Sequence, residues 1–257
     1  MLIDIHAHLD MLETPPEETI RLAREAGVGQ IITIGTEPPD HPIVLAIAQK
    51  YFPVVACTLG VHPHQGAVWT EEVSTFIEAN VIRPEVVAVG EIGLDYYYNQ
   101  SPVPEQREAF RRQLDLAARF KMPVQIHTRD ADQDTVEILN EFRGRVTGVI
   151  HCFTGTPWLA TSCLDLGYNI SFSGVVTFKN ASELRDTCKR VPLDRLHVET
   201  DAPFLTPVPL RGRKNTPAYV THTADFVANL HGVSRERLEE QTNANARHLF
   251  PKLREVQ

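Results

Sequence analysis

The chain has 257 residues, of which 42% are hydrophobic and 23% charged, the balance of an ordinary soluble globular protein with material for a sizeable core. Its formal net charge of −8 argues against non-specific coating of a nucleic acid, which needs many Lys and Arg contacts, but leaves room for a small cationic patch. No run approaches the ~20 apolar residues of a membrane span, and the N-terminus opens on the strand-like LIDIH, so no signal peptide and a cytoplasmic setting are expected.

Eight apolar, β-rich runs alternate with helix-like stretches. Strands are expected at 2–6, 30–35, 54–60, 86–91, 123–128, 146–151, 168–173 and 195–200. QIITIG and VVACTLG are nearly continuously apolar, as parallel strands buried on both faces require. Between the strands, Thr14-Pro15 and Thr156-Pro157 each offer an N-cap followed by proline at the first helical position. Thr70 and Ser234 are further caps. Residues 105–120 carry apolar side chains at 109, 110, 114, 116, 117 and 120, one face of a helix. The stretch from about 217 to 250 reads as two more helices.

This alternation predicts an α/β fold, a (β/α)8 TIM barrel forming a single domain over 1–257 with an extra C-terminal helix. A doubly wound open sheet is the alternative, but no G-x-G-x-x-G or P-loop follows any strand. Cys57, Cys152, Cys163 and Cys188 are too far apart for a Cys-x-x-Cys motif and are expected to be reduced. Cys152 follows His151, and strand alternation turns it away from that residue's face.

Six ligand-type residues close the predicted strands: His6 and His8 on the first, then Glu91, His127, His151 and Asp201. Residues two apart on a strand share a face, so His6 and His8 can grip one ion together. A single histidine at a strand end is more often structural; six such groups arriving at one barrel mouth point to metal. Imidazoles mixed with carboxylates suit zinc, manganese, iron or nickel better than calcium. The expected arrangement has His6 and His8 on one ion and His127 and His151 on another. Glu91 bridges the two, and Asp201 joins the first ion and holds or deprotonates the attacking water. Paired metals of this kind serve hydrolysis, and no G-x-S-x-G elbow offers a nucleophilic alternative.

The motifs DIHAHLD, GVHPH, GEIGLDYYY, PVQIHTRDA, HCFTG, ISFSGVVTFKN, ETDAPFLTPVP and RGRKNTPAYV, in this order and followed by NANARHLF, resemble the TatD family of metal-dependent deoxyribonucleases. The resemblance spans residue 3 to about 250. It implies a TIM barrel, with His6, His8, Glu91, His127, His151 and Asp201 as ligands of two divalent ions drawn from zinc, manganese, magnesium, nickel or iron. It also implies a catalytic, substrate-binding role for His62 beside the substrate phosphate.

Other residues carry two readings each. Arg129 either reaches a substrate phosphate or pairs with Asp130 or Asp132. Arg211, Arg213 and Lys214 form either a phosphate-binding loop or a solvated basic one. Asp95 either orients a ligand or caps a turn, and of Tyr96, Tyr97 and Tyr98 at least two are expected to pack rather than stack on bases. Asp4, His197 and Glu199 form an expected polar layer beneath the metals. The preferred activity is 3′-to-5′ exonuclease-type DNA hydrolysis, on a single strand or a 3′ end. The alternative is ester or amide hydrolysis, for instance of an aminoacyl-RNA. No obligate protein partner is implied. Glu91, standing where many amidohydrolases carry a carboxylated lysine, favours the first.

Overall fold

A computed structural model describes residues 1–255. Its strands are β1 (Leu2–Ala7), β2 (Val28–Ile34), β3 (Val55–Leu59), β4 (Val86–Asp95), β5 (Val124–Arg129), β6 (Gly148–Ile150), β7 (Asn169–Phe172) and β8 (Leu196–Val198). They form one sheet in the order of the chain, each pairing parallel with the next. That order, without a reversal, excludes the doubly wound alternative. Closure uses the segment just past β8: Ala7 bridges Ala202, and Asp201 N–H donates to the His6 carbonyl at 2.9 Å. The result is a (β/α)8 barrel.

Helices α1 (Pro16–Glu25), α2 (His41–Tyr51), α3 (Glu71–Asn80), α4 (Val103–Phe120), α5 (Asp132–Glu141), α6 (Pro157–Asp165), α7 (Ser182–Arg190) and α8 (Val220–His231) follow the strands in turn, and α9 (Arg235–Leu249) is added at the end. Thr70, Thr156 and Ser234 cap α3, α6 and α9 by accepting from the third N–H beyond them. Thr14 does not cap. Two prolines in succession shift the start of α1 to Pro16, and the Thr14 carbonyl instead accepts from the Thr19 hydroxyl. A second apolar cluster joins Ile3, Ile32, Val87 and Val149 of the strands to Ala246, Leu249 and Phe250, so α9 closes onto the barrel. Among the described residues, no helix is long and apolar enough to cross a membrane.

The strand ends differ from the expectation by one or more residues, and those of β4 and β6 bear on the site. β4 runs four residues beyond Glu91, because Ile92–Asp95 pair with Ile126–Arg129 of β5. Opposite His127 in that ladder lies Gly93, with φ +137°; a Cβ there would meet the His127 carbonyl oxygen at 1.9 Å. Only glycine lets β4 and β5 approach so closely beside His127. β6 stops at Ile150, so His151 stands just past its strand.

Candidate metal centre

Glu91 is buried at the centre of the barrel mouth, and its two oxygens face different neighbours. Oε1 lies 2.8 Å from His151 Nε2, 3.2 Å from His127 Nδ1 and 3.3 Å from His62 Nε2. Oε2 lies 3.5 Å from His6 Nε2. Asp201 completes the other side, its Oδ1 3.4 Å from His8 Nε2 and 3.7 Å from His6 Nε2. His6 and His151 stack with ring centroids 3.8 Å apart. The structure thus brings the six predicted ligands and His62 into one cluster.

The outer partners of the imidazoles set what their inner nitrogens offer. Gln125 Nε2 donates to the Ile5 carbonyl at 2.8 Å, which fixes its amide orientation. Its Oε1, 2.7 Å from His6 Nδ1, therefore accepts a hydrogen bond from that nitrogen's N–H. The inner Nε2 of His6 is left with a lone pair, fully buried and without a hydrogen-bond partner. Asp95 plays the same part for His127 through Nε2 at 2.9 Å, as Glu199 does for His151 through Nδ1 at 3.2 Å. Lone pairs facing the oxygens of Glu91 and Asp201 repel unless a proton or a cation lies between them. The donor set therefore fits a divalent ion. In the metal-free chain a proton takes that place at His151: burial opposes its charge, but Glu91 and Glu199 outweigh it and raise its pKa well above the ordinary value.

His62 is different. Its Nδ1 accepts the His64 backbone N–H at 3.1 Å, so in the neutral ring the proton sits on Nε2, facing Glu91. Burial pushes its pKa down to about 4, keeping that ring neutral. Although His62 lies within ligand distance of Glu91 and His127, it presents a donor to the site, not a lone pair.

Three glutamines had no place among the sequence expectations. Gln113 brackets Val61, accepting its N–H at 2.7 Å and donating to its carbonyl at 3.0 Å, and so holds the chain beside His62. Gln106, seven residues earlier on the same face of α4, brackets Asp95 likewise at 2.8 and 3.1 Å. Gln125 holds His6. Their sequence signal is a polar residue at helix or strand spacing inside an apolar face. Gln125→Leu is expected to weaken metal binding on the order of 10- to 100-fold by freeing the His6 tautomer. Titration of the metal-free variant with manganese checks this, and parental affinity would contradict it.

The second readings divide. Asp95 bonds His127 through Oδ2 and caps the turn through Oδ1, which accepts the Tyr98 N–H at 2.8 Å. Of the three tyrosines only Tyr96 is partly buried, bonded to Asp134 at 2.6 Å; Tyr97 and Tyr98 are 58% and 54% exposed, contrary to the expected packing. They follow the end of β4, where the chain turns outward. Arg129 pairs with neither Asp130 nor Asp132: its guanidinium lies over the Tyr97 ring, while Asp132 is engaged by Thr156. Arg211 stacks on Phe178 at 3.9 Å and donates to the Thr206 carbonyl, Lys214 pairs with Glu13, and Arg213 is exposed. Cys152, at φ +41° past the end of β6, turns its sulfur to Ser173 at 3.1 Å.

Below the ligands, Asp4 binds the Thr200 N–H and hydroxyl at 2.9 and 2.6 Å, and burial raises its pKa to about 8 despite those bonds. His197 Nε2 accepts from Asn169 at 2.8 Å, and burial pushes its pKa down to about 3. The unfolded chain titrates there near 6.5, so it binds more protons than the folded chain between the two values. Stability from this group is complete above about pH 6.5 and drains as the pH falls. From pH 7.5 to 5 the metal-free protein is expected to lose about 2 kcal/mol through His197. Thermal midpoints of parent and His197→Asn across that range check this, and equal slopes would remove His197 as the cause.

A model of the family described as TatD related DNase matches residues 3–251. The chain belongs to the TatD-related DNase family. It is similar to the uncharacterized metal-dependent hydrolase YabD of Bacillus subtilis, 40% identical over 97% of this chain and 99% of that protein. It is also 40% identical to the 3′-5′ ssDNA/RNA exonuclease TatD of Klebsiella pneumoniae, over 91% of each. The crystal structure of YjjV, a TatD homolog from Escherichia coli K12, superposes with a TM-score of 0.91 at 30% identity, covering 97% of this chain and 98% of that one. This TatD-family chain is thus an enzyme of a metal-dependent hydrolase group, with clusters of side chains that could hold a metal ion at its barrel mouth.

Proposed function

We propose that this chain is a 3′-to-5′ exonuclease that hydrolyses phosphodiester bonds of single-stranded DNA with two divalent ions. The observation that carries the reading is the buried, unpartnered His6 Nε2 between Glu91 and Asp201, inside a cluster in which His6, His127 and His151 are oriented from behind. His6, His8 and Asp201 would hold one ion and His127 and His151 the other, with Glu91 shared. When bound, paired ions lower the pKa of water and stabilise the attacking and leaving oxygens. In this reading Asp201 accepts the water's proton. Neutral His62 donates its Nε2–H to a phosphate oxygen, which needs no lone pair from it. Arg129, Arg211 and Arg213 are the candidate contacts to the rest of the strand. The cytoplasmic setting belongs to this reading and accords with four unpaired cysteines.

Hydrolysis of an aminoacyl-RNA ester is disfavoured. Glu91 stands in place of a carboxylated lysine, and a 40% identical relative bears the name of a nuclease. The test offers 3′-labelled single-stranded DNA, an aminoacyl-RNA ester and a small lactone to enzyme stripped of metal and reloaded with zinc, manganese, magnesium, nickel or iron. Stepwise nucleotide release that returns only with metal is expected. Ester or lactone cleavage without nucleotide release would overturn the reading.

A further inference from the structure

We propose that Arg129 is a caged phosphate-binding residue: Tyr97 and Tyr98 hold its guanidinium at the rim of the metal centre to seat a phosphate flanking the scissile bond. The inference rests on the phosphodiesterase reading and adds to it a subsite for a polynucleotide rather than a lone phosphodiester.

Arg129 ends β5 two residues after His127 and shares its face, so its side chain leaves the strand toward the same mouth. The guanidinium carbon lies 4.1 Å from the Tyr97 ring centroid and 4.9 Å from that of Tyr98. The two rings meet nearly at right angles, 4.9 Å apart, and form a corner around the cation. Ring faces attract a guanidinium without consuming its N–H donors. A carboxylate partner would have consumed them, and the nearby acids are turned elsewhere. Asp132 serves Thr156, and Asp134 serves Tyr96 and Arg107.

The cage is tied to the ligands themselves. The Asp95 carboxylate that orients His127 through one oxygen holds the Tyr98 N–H through the other. Tyr98 also packs edge-on against His64, which bonds the same carboxylate at 3.1 Å. Tyr96 N–H donates to the Arg129 carbonyl at 2.9 Å, joining the tyrosine turn to the end of β5. An arginine with free donors, held by exposed rings of which one shares the Asp95 carboxylate with His127, is arranged to place an anion relative to the ions. In an acidic chain, such a fixed cation gives the strand a local attraction that net charge does not supply.

The test compares manganese-loaded parent and variants on a single-stranded oligodeoxynucleotide and on bis(p-nitrophenyl) phosphate, which has no flanking phosphate. Arg129→Ala is expected to raise KM for the oligonucleotide on the order of 10- to 100-fold, as loss of a charge-assisted hydrogen bond does. That rise should exceed any change with the small diester at least about tenfold. Arg129→Lys, which keeps charge but not the planar fork, should fall between. Replacing both tyrosines by leucine should raise the oligonucleotide KM about fivefold or more, while phenylalanine at both, preserving the ring faces, should lose less than about threefold. Equal KM changes on both substrates, or none, would overturn the subsite alone. Leucine and phenylalanine pairs behaving alike would overturn the cage. A parent that hydrolyses neither substrate would overturn the phosphodiesterase reading and the subsite with it.

Discussion

Glu91→Gln is expected to lower hydrolysis of single-stranded DNA by about a thousandfold, the upper range for one preorganised electrostatic contact. The amide matches the carboxylate in volume, so the buried position stays filled and the barrel should remain folded. What changes is charge. Glu91 faces His151, His127 and His62 through one oxygen and His6 through the other. Burial works against its charge, but the surrounding histidines outweigh that and hold its carboxyl well below the usual range. An amide is neutral and would present an N–H where the two-ion reading needs a carboxylate oxygen. Metal content per chain should fall together with kcat. Circular dichroism of parent and variant separates loss of the site from loss of the fold. Near-parental activity with full metal content would contradict the bridging role.

Asp201→Asn is expected to reduce kcat between about a hundredfold and ten-thousandfold, the span of a positioned general base. Asp201 sits at φ +57°, a left-handed conformation that asparagine tolerates as well as aspartate. Its N–H ties it to the His6 carbonyl, so the substitution leaves this closure of the barrel intact. Burial opposes its charge, yet the His8 hydrogen bond and the nearby histidines keep its pKa below the ordinary value. Such a carboxylate is ionised at neutral pH, the state that a proton acceptor requires. Steady-state rates at saturating substrate, with metal content measured alongside, check the expectation. An unchanged kcat would assign the proton transfer to another group.

The alternation of apolar runs was enough to read the barrel, because a parallel strand buried on both faces leaves little choice of residue. The candidate site positions were legible because chemistry-bearing side chains interrupt those runs at their ends. Less legible was whatever depends on partners far away in sequence. Nothing around Gln125 says that it grips both Ile5 and His6, some 120 residues earlier. Nothing in GVHPH says that the His64 N–H occupies Nδ1 of His62 and so turns that ring into a donor. The tyrosines were misread because three aromatic residues in a row suggest a core. The chain leaves the strand after Asp95, and only Tyr96 finds a partner inside. Thr14 was misread because proline at either of two successive positions satisfies the same cap pattern.

Anomalous diffraction at the manganese edge, from crystals of the loaded protein, tests the central claim most directly. Two peaks about 3.5–4 Å apart are expected inside the cluster. One should touch His6, His8 and Asp201, the other His127 and His151, with Glu91 between them. An empty cluster, or ions bound only elsewhere on the surface, would contradict it.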